Sequence, residues 1–345
     1  MDAPRPWLQR SSEMHAQLVA RDCCAWPVLT RWPDATLGLV HFDRPSHGRT
    51  EGNLAALISR DAGASWSSAG LAALHDPSTN RMHIASGVDH AGRWLVLSTG
   101  FHVAGEEWTG LEPLWLSVAD GPGQPWTIHR QIAVEGLAPG LIPHGRIVAL
   151  PDGRLAATFY HSEGREHPSR AWVAFSLEAG LTWREAVELG EGDANEVVLL
   201  PRPAGDWLAV VRTHRDHHLK LLRSANGSAK WLPAADLTLP MQHPGDLTDL
   251  GGNRILLTYG IRNRGLMGIG ARLSRDGGHN WGAPAVLFQF GEARDCGYPS
   301  SVVCADGRLL TAAYADNSPL HQGYHLLTLK WSLAEFFGPD PQAKA

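Results

Sequence analysis

Apolar residues in this chain come in short runs of strand length. Leu37 to Phe42, Trp94 to Leu97, Arg154 to Tyr160, Trp207 to Thr213, Arg254 to Tyr259 and Arg308 to Tyr314 are such runs, and each is entered from a turn containing Gly, Asp or Asn. Apolar runs of this length between turn residues predict β-strands. After several of them a polar octet recurs. Ser59-Arg60-Asp61-Ala62-Gly63-Ala64-Ser65-Trp66 and Ser274-Arg275-Asp276-Gly277-Gly278-His279-Asn280-Trp281 fit S-x-D-x-G-x-x-W. Ser176 to Trp183 fits with Glu178 for the aspartate, Ser224 to Trp231 with Asn226, and Ser117 to Trp126 is a stretched copy. An Asp accepts hydrogen bonds from its own turn, glycine supplies positive φ, and the tryptophan folds back over the hairpin.

Trp66, Trp126, Trp183, Trp231, Trp281 and Trp331 stand 60, 57, 48, 50 and 50 residues apart. A period near 50 built from strands and hairpins predicts an all-β, six-bladed β-propeller. The blades span roughly 22–66, 80–126, 141–183, 194–231, 241–281 and 295–331 of a single domain, 1–345. The sixth blade lacks an outer strand of its own, and segment 13–20 is the candidate to pair with it and close the ring.

Composition narrows the function. The chain has 37 Gly, 23 Pro and 14 Trp, as a turn-rich β protein would. A net charge of −5 offers no field for phosphate backbones, so nucleic acid is not an expected partner. No apolar run reaches membrane-spanning length, so no membrane partner is expected. Met1 to Arg21 has no continuous apolar core of a signal peptide. That gives a cytoplasmic expectation, or a periplasmic or secreted one if a leader has been removed. Cys23, Cys24, Cys296 and Cys304 form no C-x-x-C motif and read as reduced, packed thiols, with a Cys23–Cys296 bridge left open. No metal or cofactor is called for; Thr213 to His218 is rich in histidine but reads as a solvated hairpin loop.

A propeller binds its ligand over the axis, at the rim formed by inner strands and their loops. Polar residues gather at those positions. They include His47, Arg49 and Glu51 in blade one, Arg81 and His83 in blade two, and His144, Arg146 and Tyr160 in blade three. Blade four gives Asn195, Glu196, Arg212 and His214, blade five His243, Arg262 and Arg264, and blade six Asp295, Tyr298 and Tyr314. Arginines, carboxylates, histidines and tyrosines converging on one rim suit an acidic glycan.

With these residues in place the chain resembles the sialidase superfamily of six-bladed propellers, whose Asp-box repeats the octets match along nearly the whole chain. The boxes lie at blade edges and mark the fold, not the chemistry. Asn195-Glu196-Val197-Val198-Leu199-Leu200 is similar to the stretch holding the sialidase glutamate, and Val210-Val211-Arg212-Thr213 to the one ending in an arginine. Asn263-Arg264-Gly265-Leu266 fits a further arginine, Gly297-Tyr298-Pro299-Ser300 the nucleophile, and Glu51 the acid/base of the blade-one loop. The resemblance implies an exo-acting glycoside hydrolase in which Tyr298 attacks, Glu196 activates it, Glu51 is acid/base, and Arg212 and Arg264 hold the substrate carboxylate. A neutral tyrosine avoids the repulsion that an anionic nucleophile would meet beside that carboxylate. One departure stands out. Ala25-Trp26-Pro27 replaces the family's R-I-P, so the first arginine of the clamp is absent unless Arg49 or Arg81 reaches in. His47, His83, His144 and His243 are added at the rim as candidate substrate-binding residues. Two alternatives stay open: a polysaccharide lyase on uronic acids using a His/Tyr pair, and a non-catalytic carbohydrate-binding propeller.

Overall fold

The structure, a computed structural model, describes residues 14–162, 167–228 and 230–339. Six four-stranded antiparallel units stand around a common axis, each running outward from its innermost strand. Blade one is Val28–Arg31, Leu37–Phe42, Leu54–Ser59 and Ser67–Ala73; blade two is His83–Val88, Trp94–Thr99, Trp115–Ala119 and Trp126–His129. Blade three is Ile142–Ala149, Leu155–His161, Arg170–Ser176 and Arg184–Leu189; blade four is Val197–Pro201, Trp207–Arg212, Leu219–Ser224 and Leu232–Asp236. Blade five is Gln242–Asp249, Ile255–Ile261, Gly268–Ser274 and Ala285–Gln289. Blade six takes Cys296–Val303, Leu309–Ser318 and His321–Trp331 from one end of the chain and His15–Arg21 from the other, paired antiparallel from His15 opposite Lys330 to Arg21 opposite His325. That first strand covers most of segment 13–20; Glu13 lies outside the described residues.

Second strands are buried on both faces, which is why they read as unbroken apolar runs. Every residue of Leu37–Phe42, Trp94–Thr99 and Ile255–Ile261 is buried between neighbouring blades. In blades one to five the outer strand begins at, or within four residues after, the tryptophan anchor and is mostly exposed or half-buried, so these sheets extend past the residue where the sequence repeat ends. The octets form the turns into them. Ser59 Oγ accepts from the Gly63 N–H, and Asp61 accepts from the Ser65 N–H and Oγ; Ser274, Asp276, Gly278 and Asn280 repeat the arrangement. Gly63 has φ 86°, and a Cβ there would lie 2.6 Å from Leu310 of blade six. The glycine both makes the turn and lets it seat against the preceding blade.

Small polar residues tie the inner strands together. Thr30 meets Ser86, Thr158 Oγ1 donates to the Val197 carbonyl, and the Leu29 N–H donates to Ser300 Oγ. Arg146 of blade three reaches across the hub to Asp246 of blade five, at 2.7 Å, and to the Ser301 carbonyl of blade six. All four cysteines are free and buried. Among the described residues no helix is long and apolar enough to cross a membrane.

Candidate active site

A cavity of about 1280 Å³ opens at one end of the hub. Its floor holds Glu196, Arg212 and Tyr298. Glu196 stands just before the inner strand of blade four, where its carbonyl accepts from the Arg212 N–H at 3.1 Å and so sets the two side chains together. Arg212 Nη1 lies 2.8 Å from Glu196 Oε2, and the Tyr298 hydroxyl donates to Glu196 Oε1 in a very short bond. Tyr298 reaches that carboxylate because the blade-six ladder breaks register between Gly297 and Ser300, and the tyrosine has φ 51°. A bulky residue in the left-handed region costs energy and persists only where its surroundings enforce it.

Electrostatics assign the resting protons. Burial raises the Glu196 carboxyl, but Arg212, His144 and the bonds from Tyr298 and Arg212 outweigh it, so the carboxyl sits well below its ordinary range and is ionised. Burial and the adjacent Glu196 charge hold the Tyr298 phenol far above its ordinary value, so it is protonated. The site therefore pairs a neutral phenol with an anionic acceptor. Around them are imidazoles kept neutral by burial: His83 is pushed down to about 3, and His144, its ring 6.1 Å from that of Tyr298, is also lowered. Tyr160 completes that wall.

Trp26 occupies the blade-one side. Its ring packs edge-on against His47 at 5.0 Å and Tyr298 at 6.3 Å, and Ala25 beside it is fully buried. Beneath it Asp295 collects four donors: Arg262, His47 Nδ1 at 2.6 Å, Tyr314 Oη at 3.0 Å and Tyr324 Oη at 2.9 Å. Cys24, His47 and Asp295 offer ligating atoms within 4.8 Å of one another, but Arg262 already supplies the cation opposite Asp295.

Of the residues expected at the site, Tyr298, Glu196, Arg212, His47, His83 and His144 line the cavity. Five lie elsewhere. The exposed Glu51 carboxylate is 2.5 Å from the Ser78 N–H and 3.5 Å from His75, turned away from the hub. Arg264 is exposed at a loop tip; it is Arg262, two residues earlier and facing inward, that reaches the hub. Arg49 donates to the Glu106 carbonyl and lies over Trp108. Arg81 is fully buried on Trp115, donating to the Ser98 and Pro113 carbonyls, and burial pulls its guanidinium down to about 9. Neither therefore supplies the missing arm of the clamp. His243 is buried behind the cavity with neither ring nitrogen bonded among the described residues. Conversely, the hairpin Phe101–Ala104 and Glu107–Leu111 brings stacked Phe101 and Trp108 to the rim, and Arg215 reaches it from blade four. The long connection from Gly100 to Leu114, carrying two aromatics, was the available signal for that hairpin.

Solved structures share this architecture. A protein of unknown function from Dyadobacter fermentans superposes with a TM-score of 0.76 at 19% identity, covering 93% of this chain and 100% of that one. A Hadza microbial sialidase, Hz136, gives 0.72 at 16% identity, covering 90% of this chain and 66% of that one. Trypanosoma rangeli sialidase, in complex with 2,3-difluorosialic acid as a covalent intermediate, gives 0.70 at 15% identity over 92% of this chain and 55% of its own. This chain thus spans less than two thirds of either sialidase, and at these identities the likeness is one of fold. No curated protein sequence matches it. Residues 86–310, most of the propeller and both strands that frame Glu196 and Arg212, match the BNR repeat-like domain, and the chain belongs to that family as a divergent, sialidase-like propeller.

Proposed function

We propose that this protein is an exo-acting glycoside hydrolase that removes a terminal acidic sugar, a sialic or related ulosonic acid, with Tyr298 as nucleophile and Glu196 as its base. The observation that carries the reading is the hydrogen bond from the Tyr298 hydroxyl to an ionised Glu196 at the floor of the cavity. At rest the proton stays on the phenol. It moves to Glu196 only as the oxygen bonds to the anomeric carbon and its negative charge is consumed. Arg212, the cation beside them, neutralises a substrate carboxylate that would otherwise repel Glu196. Ala25 stands in the place of the family's further arginine and is fully buried, and the Trp26 ring next to it borders the cavity, which favours a sugar whose carboxylate is held from the Arg212 side only.

A second reading, a lyase acting on uronic acids, draws support from the neutral His144 beside Tyr298. One screen separates the two: chromogenic glycosides of sialic, other ulosonic and uronic acids, followed by released phenol and by the ultraviolet absorbance of a new C=C bond. Phenol release without that absorbance is expected, and absorbance without water addition would replace the hydrolase reading. Tyr298→Phe is expected to lower kcat/KM on the order of 10⁴-fold with melting unchanged. Wild-type turnover in that variant would reject the mechanism.

A further inference from the structure

With Glu51 turned away, the proton for the leaving oxygen has to come from elsewhere on the cavity wall. We propose that His47, oriented by Asp295, donates that proton and then serves as the base for the incoming water. The inference rests on the glycosidase reading above.

His47 sits in the loop between the second and third strands of blade one and lines the cavity, with 38% of its side chain exposed. Asp295 accepts at 2.6 Å, so the hydrogen bond assigns a proton to Nδ1 and leaves Nε2 as the working atom. Nε2 makes no hydrogen bond among the described residues. Asp295 is fixed as an orienting group, since Arg262, Tyr314 and Tyr324 also bond it. Burial raises its carboxyl, but the bond from His47, the Arg262 charge and the bond from Tyr324 outweigh that and hold it at about 2.

Position supports the role. Blades one and four face each other across a ring of six, so His47 and Glu196 flank a sugar seated over Tyr298 from opposite sides. The Trp26 ring bridges His47 and Tyr298 and holds their spacing. The other carboxylates are engaged or misplaced. Asp246 is tied to Arg146 and the Ser301 N–H, Asp193 accepts from the His214 N–H, and Glu191 stands on the Glu196 side.

The step balances. His47 enters the cycle as the imidazolium, protonated on both nitrogens. Tyr298 Oη bonds to the anomeric carbon as its proton passes to Glu196, the bond to the leaving oxygen breaks, and the Nε2 proton of His47 goes to that oxygen. Neutral His47 then takes a proton from water, whose oxygen displaces Tyr298, and Glu196 returns the phenol proton. One water is consumed and His47 ends protonated.

The test compares leaving groups. A 4-nitrophenol departs without protonation, whereas methanol requires it. Wild type, His47→Gln and His47→Asn are assayed on 4-nitrophenyl and methyl glycosides of N-acetylneuraminic acid, or of the ulosonic acid the wild type prefers. Both variants are expected to lose about 10²–10⁴-fold in kcat/KM on the methyl glycoside but only about tenfold on the nitrophenyl one. Equal losses on both substrates, or none, overturn the role of His47 while leaving the glycosidase reading standing. A wild type inert on every glycoside overturns both.

Discussion

Replacing Glu196 with glutamine tests the centre of the site on two axes at once. The side chain of Glu196 is 6% exposed and that of Arg212 18%, at 2.8 Å, so the substitution leaves a largely buried guanidinium without its anion. Arg212 Nε already lacks a partner among the described residues, so nothing nearby compensates. Removing one member of a buried pair costs about 3–5 kcal/mol. Spread over 345 residues, an unfolding entropy of about 2.1 cal/mol/K per residue converts that to a fall in Tm of about 4–7 °C. Arg212 borders the cavity and gains some solvation from it, which places the expectation near the lower end. The pH dependence has a definite sign. Glu196 has a folded value below its ordinary 4.5, so the unfolded chain binds the extra proton, and the stabilisation is present above 4.5 and lost as pH falls below it. Thermal melts at neutral and acid pH should therefore show a gap between wild type and Glu196→Gln that narrows on acidification. Activity should fall by about 10²–10⁴-fold in kcat/KM at the same time. Glu196→Gln combined with Arg212→Met should recover most of the lost stability, because the stranded charge is gone, while activity stays lost. A single variant that melts with wild type across the pH range, or a double variant no more stable than the single, would refute the argument.

Two further expectations are simpler. Gly63→Ala and Gly92→Ala each force alanine to a left-handed φ, of 86° and 82°, but only the first adds a clash, at 2.6 Å with Leu310, so its melting loss should exceed that of Gly92→Ala by about 1–3 kcal/mol. Glu51→Gln and Arg264→Ala lie off the cavity and should leave kcat/KM within about twofold of wild type; a large loss in either would reinstate the role the sequence resemblance implied.

The architecture was legible because the buried second strands and the polar octet turns are local features, written in contiguous residues such as Leu37 to Phe42 and Ser59 to Trp66. Glu196, Arg212 and Tyr298 were legible as short motifs beside strands whose burial is just as regular. Loop residues were not. Arg262 and Arg264 differ by two positions on one turn, and which faces the hub depends on Asp295, a residue of the next blade. The same holds for Glu51 and His47. Both occupy one polar loop, and the choice between them is made by Ser78 and Asp295, which no pattern within the loop encodes. Outer strands were hard to bound because an exposed edge carries little apolar alternation.

Among the described residues, the blade bearing Tyr298 alone combines strands from distant stretches of the chain. During synthesis every other blade has its four strands in hand as soon as its own stretch has emerged. Blade six must wait until Trp331 is made and the long-exposed strand His15–Arg21 swings back to it. The sheet that sets the proposed nucleophile is thus the last to become whole, and a stop between Tyr298 and Trp331 leaves that tyrosine on an unfinished sheet beside a finished blade four.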